Sequence, residues 1–85
     1  MVIINFYLRD LPKDQQEKSA EVSLNDSIGK IKGIVRKLYS INQLYTITLM
    51  HFGEVLENEK QVKEYDLTNG KVKVMLIKTS DMREL

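Results

Sequence analysis

The sequence predicts an α+β domain of two layers, with one main helix packed across one face of a mixed sheet of four or five strands. Apolar residues recur at period two near both ends of the chain, in residues 2–8 and 71–78, and one stretch of helical periodicity, residues 28–38, lies between them. With 85 residues the chain can bury only one core, since a domain of this size hides only roughly 60 to 65% of the surface that its unfolded form exposes. It contains no cysteine, so neither a disulfide framework nor a thiolate zinc site can stand in for that core.

The first strand begins at the amino terminus. In Val2-Ile3-Ile4-Asn5-Phe6-Tyr7-Leu8 the even positions are all apolar, which gives a half-buried strand with Ile3, Asn5 and Tyr7 outward. Residues 9–17 hold Leu11-Pro12-Lys13-Asp14 and then polar residues, a composition suited to a hairpin connection in which Pro12 owes no ladder donor. A weaker second strand is expected over residues 18–24, with Ala20 and Val22 inward.

Asn25-Asp26-Ser27 offers three N-cap candidates in a row, and Ile28, Ile31, Ile34, Val35 and Leu38 follow at helical spacing. Arg36 and Lys37 suit the negative pole of the last turn. Gly29 and Gly33 weaken the helix intrinsically, and their spacing reads as tight packing on a sheet.

A third strand is expected over residues 45–52, with Ile47 and Leu49 on one face and Thr48 and Met50 on the other, ending in a turn at Gly53-Glu54. A short extended piece follows at Val55-Leu56, then a single helical turn over residues 61–65, and then a turn at Asn69-Gly70. Residues 71–78 alternate cleanly, with Val72, Val74 and Leu76 inward. The domain therefore spans residues 1–78, and residues 79–85, which carry no pattern, read as a flexible carboxyl-terminal tail. The two terminal strands are the most apolar and belong side by side in the centre. This order of elements is that of a β-grasp domain.

Several segments also resemble the ubiquitin family. Val22-Ser23-Leu24-Asn25-Asp26-Ser27-Ile28-Gly29-Lys30-Ile31-Lys32 is similar to the family's second strand and helix start, where a valine leads to Asp-Thr/Ser-Ile and a hydrophobic-Lys pair. Phe52-Gly53-Glu54-Val55-Leu56-Glu57-Asn58 resembles its Gly-x-x-Leu-Glu-Asp stretch, and Val62-Lys63-Glu64-Tyr65-Asp66-Leu67 its Leu-x-x-Tyr-x-Ile segment. Residues 71–78 resemble its last strand. Two departures stand out. Conjugated members close with two glycines, whereas this chain ends Thr79-Ser80-Asp81-Met82-Arg83-Glu84-Leu85 and contains no glycine pair, so the resemblance implies a non-conjugated type. The loop over residues 11–17 is also about five residues longer than in ubiquitin, an insertion read as a tolerated surface loop or a private contact site.

Reactive chemistry is sparse. His51 is the only histidine and reads as a packing or surface residue at a strand end. Glu54, Glu57, Glu59 and Glu64 are irregularly spaced and match neither a calcium loop nor a catalytic carboxylate pair. With no phosphate loop and no nucleophile elbow, the expectation is a protein that is not an enzyme and takes no cofactor or metal.

The informative residues are apolar ones on the outward side of strands. With Leu49 inward, Met50 points out; with Val72, Val74 and Leu76 inward, Lys73, Met75 and Ile77 point out. If the third and last strands are neighbours, as the resemblance implies, Met50 and Met75 meet on the open face with Lys73, where by the same resemblance ubiquitin presents its main recognition patch. Tyr7 extends it from the first strand. Methionine adapts its shape readily, so this face is a candidate protein-binding site; the alternative is isolated surface apolars. A second candidate surface is basic, comprising Lys30, Lys32, Arg36 and Lys37 on the helix and Lys71, Lys73 and Lys78 on the last strand, with Tyr45 or Phe52 as a base-stacking aromatic. The net charge of +1 favours solvated surfaces over a nucleic-acid site.

The longest apolar run, Val2-Ile3-Ile4, is far shorter than a membrane span, and no cationic segment precedes an apolar leader. The expectation is a cytoplasmic or nuclear domain, monomeric when isolated, that acts as a module or small adaptor in a multiprotein complex such as those of the ubiquitin pathway. The competing expectations are a ubiquitin-like domain that binds RNA or DNA, and a divergent conjugated modifier.

Overall fold

Alternation at the two ends of the chain resolves into two parallel neighbours at the centre of one sheet. The computed structural model describes residues 1–78; the tail expected at residues 79–85 lies outside the described residues. Strand β1 (Val2–Tyr7) pairs antiparallel with β2 (Glu17–Val22) and parallel with β5 (Lys71–Lys78). β5 pairs antiparallel on its other side with β3 (Tyr45–His51), which carries the short β4 (Glu54–Val55) at the edge. The order β2-β1-β5-β3-β4, with helix α1 (Ile28–Leu38) packed on one face, is a β-grasp arrangement.

The core lies between α1 and the inner sheet face. Ile4, Phe6 and Leu8 from β1 and its end, Ile47 and Leu49 from β3, and Val72 and Val74 from β5 meet Ile28, Ile31 and Val35 of the helix, all of them buried. Leu56, Val62 and Leu67 close the side next to the β4–β5 connection. That connection holds a 3₁₀ turn, Val62–Glu64, where the single helical turn was expected.

Ser27 is the N-cap, and its Oγ accepts from the Lys30 N–H at 3.1 Å. Asp26 works beside it: the Ser23 N–H and Lys30 Nζ each donate to its carboxylate at 3.0 Å. The Ser23 N–H, and then the Lys30 ammonium, hold this carboxyl below the ordinary carboxylate range. A lowered carboxyl pKa adds stability above the unfolded value, and that stability is lost as pH falls through the folded one. Asp26→Asn therefore lowers the melting midpoint at neutral pH, and its gap from wild type closes on acidification below about pH 4, as thermal melts across pH will show.

At the other end of the helix, Arg36 ties α1 to the start of β3. Its Nη1 donates to the Asn42 carbonyl at 2.8 Å and its Nη2 to that of Tyr45 at 2.9 Å. Tyr39, at the C-cap, donates its hydroxyl to the Gln16 carbonyl at 2.8 Å, and the burial that accompanies this bond pushes its phenol pKa up. The long first loop is thus held against the helix end, and it contains a 3₁₀ turn, Lys13–Gln15, absent from the expected plain hairpin connection.

Three expectations are corrected. β2 runs Glu17–Val22 rather than 18–24, because Ser23 turns into the bonds around Asp26. β3 stops at His51, so the turn is Phe52-Gly53 and the short strand starts at Glu54, one residue earlier than expected. Gly29 and Gly33 do not mark close packing on the sheet. They lie on the flank away from Ile28, Ile31 and Val35, and a Cβ at Gly33 would meet nothing within 4 Å.

Candidate protein-binding face

Because α1 covers one side of the sheet, the outward side chains of the central strands lie on a face that the described residues leave open. Register then decides which of them meet. Lys73 of β5 stands opposite Tyr7 of β1 on one side and Met50 of β3 on the other, and Met50 stands opposite Val55 of β4. Tyr7, Lys73, Met50 and Val55 therefore form one row across four strands. One step along β5, Met75 faces Thr48, and one further step brings Ile77 opposite Thr46.

All five residues expected at the site are thus on one face, and Met75 is the diagonal neighbour of Met50, within reach of a long side chain. Met50 and Tyr7 are half-buried, while Met75 is 46% and Ile77 49% exposed. Tyr7, Arg9, Met50, Lys73, Val74 and Met75 line a shallow depression of about 360 Å³. Its lining combines thioether, aliphatic and aromatic groups with a guanidinium and an ammonium. Ile77 lies beyond the depression, at the far end of β5.

Ion pairing sets the charge of this face. Lys71 Nζ sits 2.8 Å from the Glu17 carboxylate, a contact that bridges β5 and β2 across β1. No ion pair holds Lys73 among the described residues. Lys73 therefore offers its full charge at the centre of the row.

The sequence reading left Val55 and Arg9 out of this site and gave Phe52 only as a base-stacking aromatic. Val55, 53% exposed, continues the apolar row, and Phe52, 73% exposed, stands at its corner; Arg9 supplies the guanidinium. Val55 escaped because a two-residue edge strand has too few positions to show a period. Phe52 was read as the last residue of a strand, yet the Phe-Gly pair was the available signal, since a glycine preceded by one residue between two strands is the pattern of a tight hairpin.

Elsewhere the candidate chemistry is absorbed by structure. His51 is buried and faces inward, with Nε2 donating to the Asn69 carbonyl at 2.6 Å. Since a carbonyl only accepts, Nε2 must carry the proton. Glu64 accepts from the Gln61 N–H at 2.8 Å and Glu57 pairs with Lys60 at 3.1 Å; among the described residues no three acidic, histidine or cysteine side chains are placed to hold a metal ion. Arg36 Nη1 and Nη2 each donate to a backbone carbonyl, so this cation of the basic surface expected on the helix keeps its charge but is tied down by the fold. No described helix is long and apolar enough to cross a membrane. Among protein-family models, and among curated proteins, no match to this sequence is found.

Proposed function

We propose that this chain is a ubiquitin-like domain whose work is to hold a protein partner non-covalently on the open face of its sheet. The observation that carries the reading is the register that sets Met50, Lys73 and Met75 side by side with Tyr7 and Ile77 at their flanks. Flexible thioethers around an ammonium that no described residue pairs suit a partner surface that combines apolar side chains with an acceptor for Lys73. The likeness of residues 22–32, 52–58 and 62–67 to the ubiquitin family supports the same reading, as does the strand order. On this reading the domain performs no reaction and needs no cofactor, and it serves as a module or adaptor subunit inside a larger assembly, of the ubiquitin pathway or another, in the cytoplasm or nucleus.

The test begins with affinity capture on a tagged chain and mass spectrometry, after which the captured protein is purified and the complex rebuilt. Amide hydrogen exchange should then slow in β3 and β5, around Thr48 to Met50 and Lys73 to Ile77. Slowing confined to α1, or capture of the chain itself in isopeptide-linked adducts, would overturn the proposal.

A further inference from the structure

Between His51 and Glu54, which face each other in the ladder, the chain turns through two residues only. Phe52 has φ +50° and Gly53 φ +81°, so both central residues lie in the left-handed region, as a type I′ hairpin requires. Glycine at the second position is free of strain. At the first position asparagine or glycine is the usual occupant, because a bulky L-residue there drives its Cβ against the backbone.

Burial within the domain does not offset this strain. The Phe52 side chain is 73% exposed, against the His51 ring, whose centroid is 4.3 Å from its own, and beside Gly70. A Cβ at Gly70 would lie 3.1 Å from Phe52 Cζ, so any other residue there would press on the ring. Gly70 has its own left-handed φ of +78°, so the strain to be explained is that of Phe52, whose phenyl group contributes little to the core. Backbone strain that burial does not explain points toward a role at the surface.

The surroundings say what the ring would meet. Met50, Phe52, Gly53, Lys71 and Lys73 line a second depression of about 300 Å³, which shares Met50 and Lys73 with the first. Its lining holds two ammonium groups, of which Lys71 is paired with Glu17 and Lys73 has no ion pair among the described residues. We infer that the Phe52-Gly53 turn is a preformed anchor that engages an acidic protein segment, one presenting an aromatic or aliphatic side chain to Phe52 and Met50 and a carboxylate to Lys73. The inference rests on the protein-binding reading above and adds the partner's chemistry. A nucleic acid, which needs several free cations, fits less well, since Lys71 is already matched by Glu17 and Val55, Met75 and Ile77 add exposed apolar surface to the face.

The experiment uses a phage-displayed library of short random peptides selected on the full chain. Enriched peptides should carry Asp or Glu beside an aromatic or aliphatic residue, and one is then synthesised and its affinity measured. Phe52→Asn should raise the melting midpoint by about 4 °C, because it relieves the left-handed strain, and yet weaken peptide binding about 30-fold. Phe52→Tyr should restore binding, and Lys73→Ala should weaken it and flatten its salt dependence. A Phe52→Asn protein that melts lower than wild type would make the ring a fold residue and overturn the inference. So would unchanged binding, an absence of enriched peptides, enrichment without acidic residues, or tighter Phe52-dependent binding of single-stranded RNA than of any peptide. Binding that survives Phe52→Asn but is lost in Met50→Asp/Met75→Asp defeats the anchor and spares the protein-binding reading; binding that survives both defeats that reading as well.

Discussion

Phe6→Ala leaves this domain at the edge of unfolding. Phe6 is fully buried and central: its strand β1 lies between β2 and β5, and Phe6 itself pairs with Lys18 on one side and Val72 on the other. Truncating a buried phenylalanine costs about 3 to 5 kcal/mol, the lost transfer free energy plus the cavity that rigid neighbours fail to fill. A chain of 85 residues has a total stability of only about 4 to 13 kcal/mol. Little room exists for relaxation, since β1 is held by ladders on both sides and its other inward residues, Ile4 and Leu8, are themselves buried. Urea unfolding followed by circular dichroism should place the midpoint of Phe6→Ala well below that of wild type, with Phe6→Leu between them. A midpoint within the error of wild type would mean that the core is not organised around β1.

Much of this core was legible because burial on one side of a strand writes itself into alternate residues. Phe6, Leu49, Val72 and Val74 could be assigned inward, and Met50, Lys73, Met75 and Ile77 outward, from parity alone. Parity says nothing about which strands are neighbours, so the row Tyr7, Lys73, Met50 became a site only once the β1–β5 and β3–β5 registers were known. Boundaries failed where a side chain competed with the ladder. Asp26 draws the Ser23 N–H into a local bond and stops β2 early, an interaction invisible to periodicity. Arg36 failed differently: its place in the last turn suggested a surface cation, and only the fold brings the Asn42 and Tyr45 carbonyls to its guanidinium. Phe52 was the hardest to read, because propensity argues against a phenylalanine at positive φ, so the Phe-Gly pair pointed to a turn while the phenylalanine itself pointed to a strand.

Met50→Asp combined with Met75→Asp should abolish partner binding while the domain stays folded. The two effects separate because the side chains occupy different environments before and after docking. In the free domain Met75 is 46% exposed and Met50 is half-buried at the surface, so a carboxylate at either position keeps much of its hydration, and one at position 50 faces Lys73 directly across the ladder. The cost to stability is then about 1 kcal/mol, within the ordinary range for surface substitutions near a packed face. In the complex both carboxylates would be taken out of water against apolar partner groups, and one would compete with the partner for Lys73. Loss of an anchor at the centre of an interface costs about 2 kcal/mol or more, roughly 30-fold in affinity for each site, and the pair is expected to lose at least 100-fold. Calorimetric titration with the purified partner measures the loss, and a thermal melt of the same sample checks the fold. Met50→Leu with Met75→Leu retains the apolar area and should bind within a few-fold of wild type, since the contact depends on apolar surface more than on sulfur. Equal affinity for the Asp and Leu pairs would show that the partner docks elsewhere and that the two methionines share a face without sharing a task.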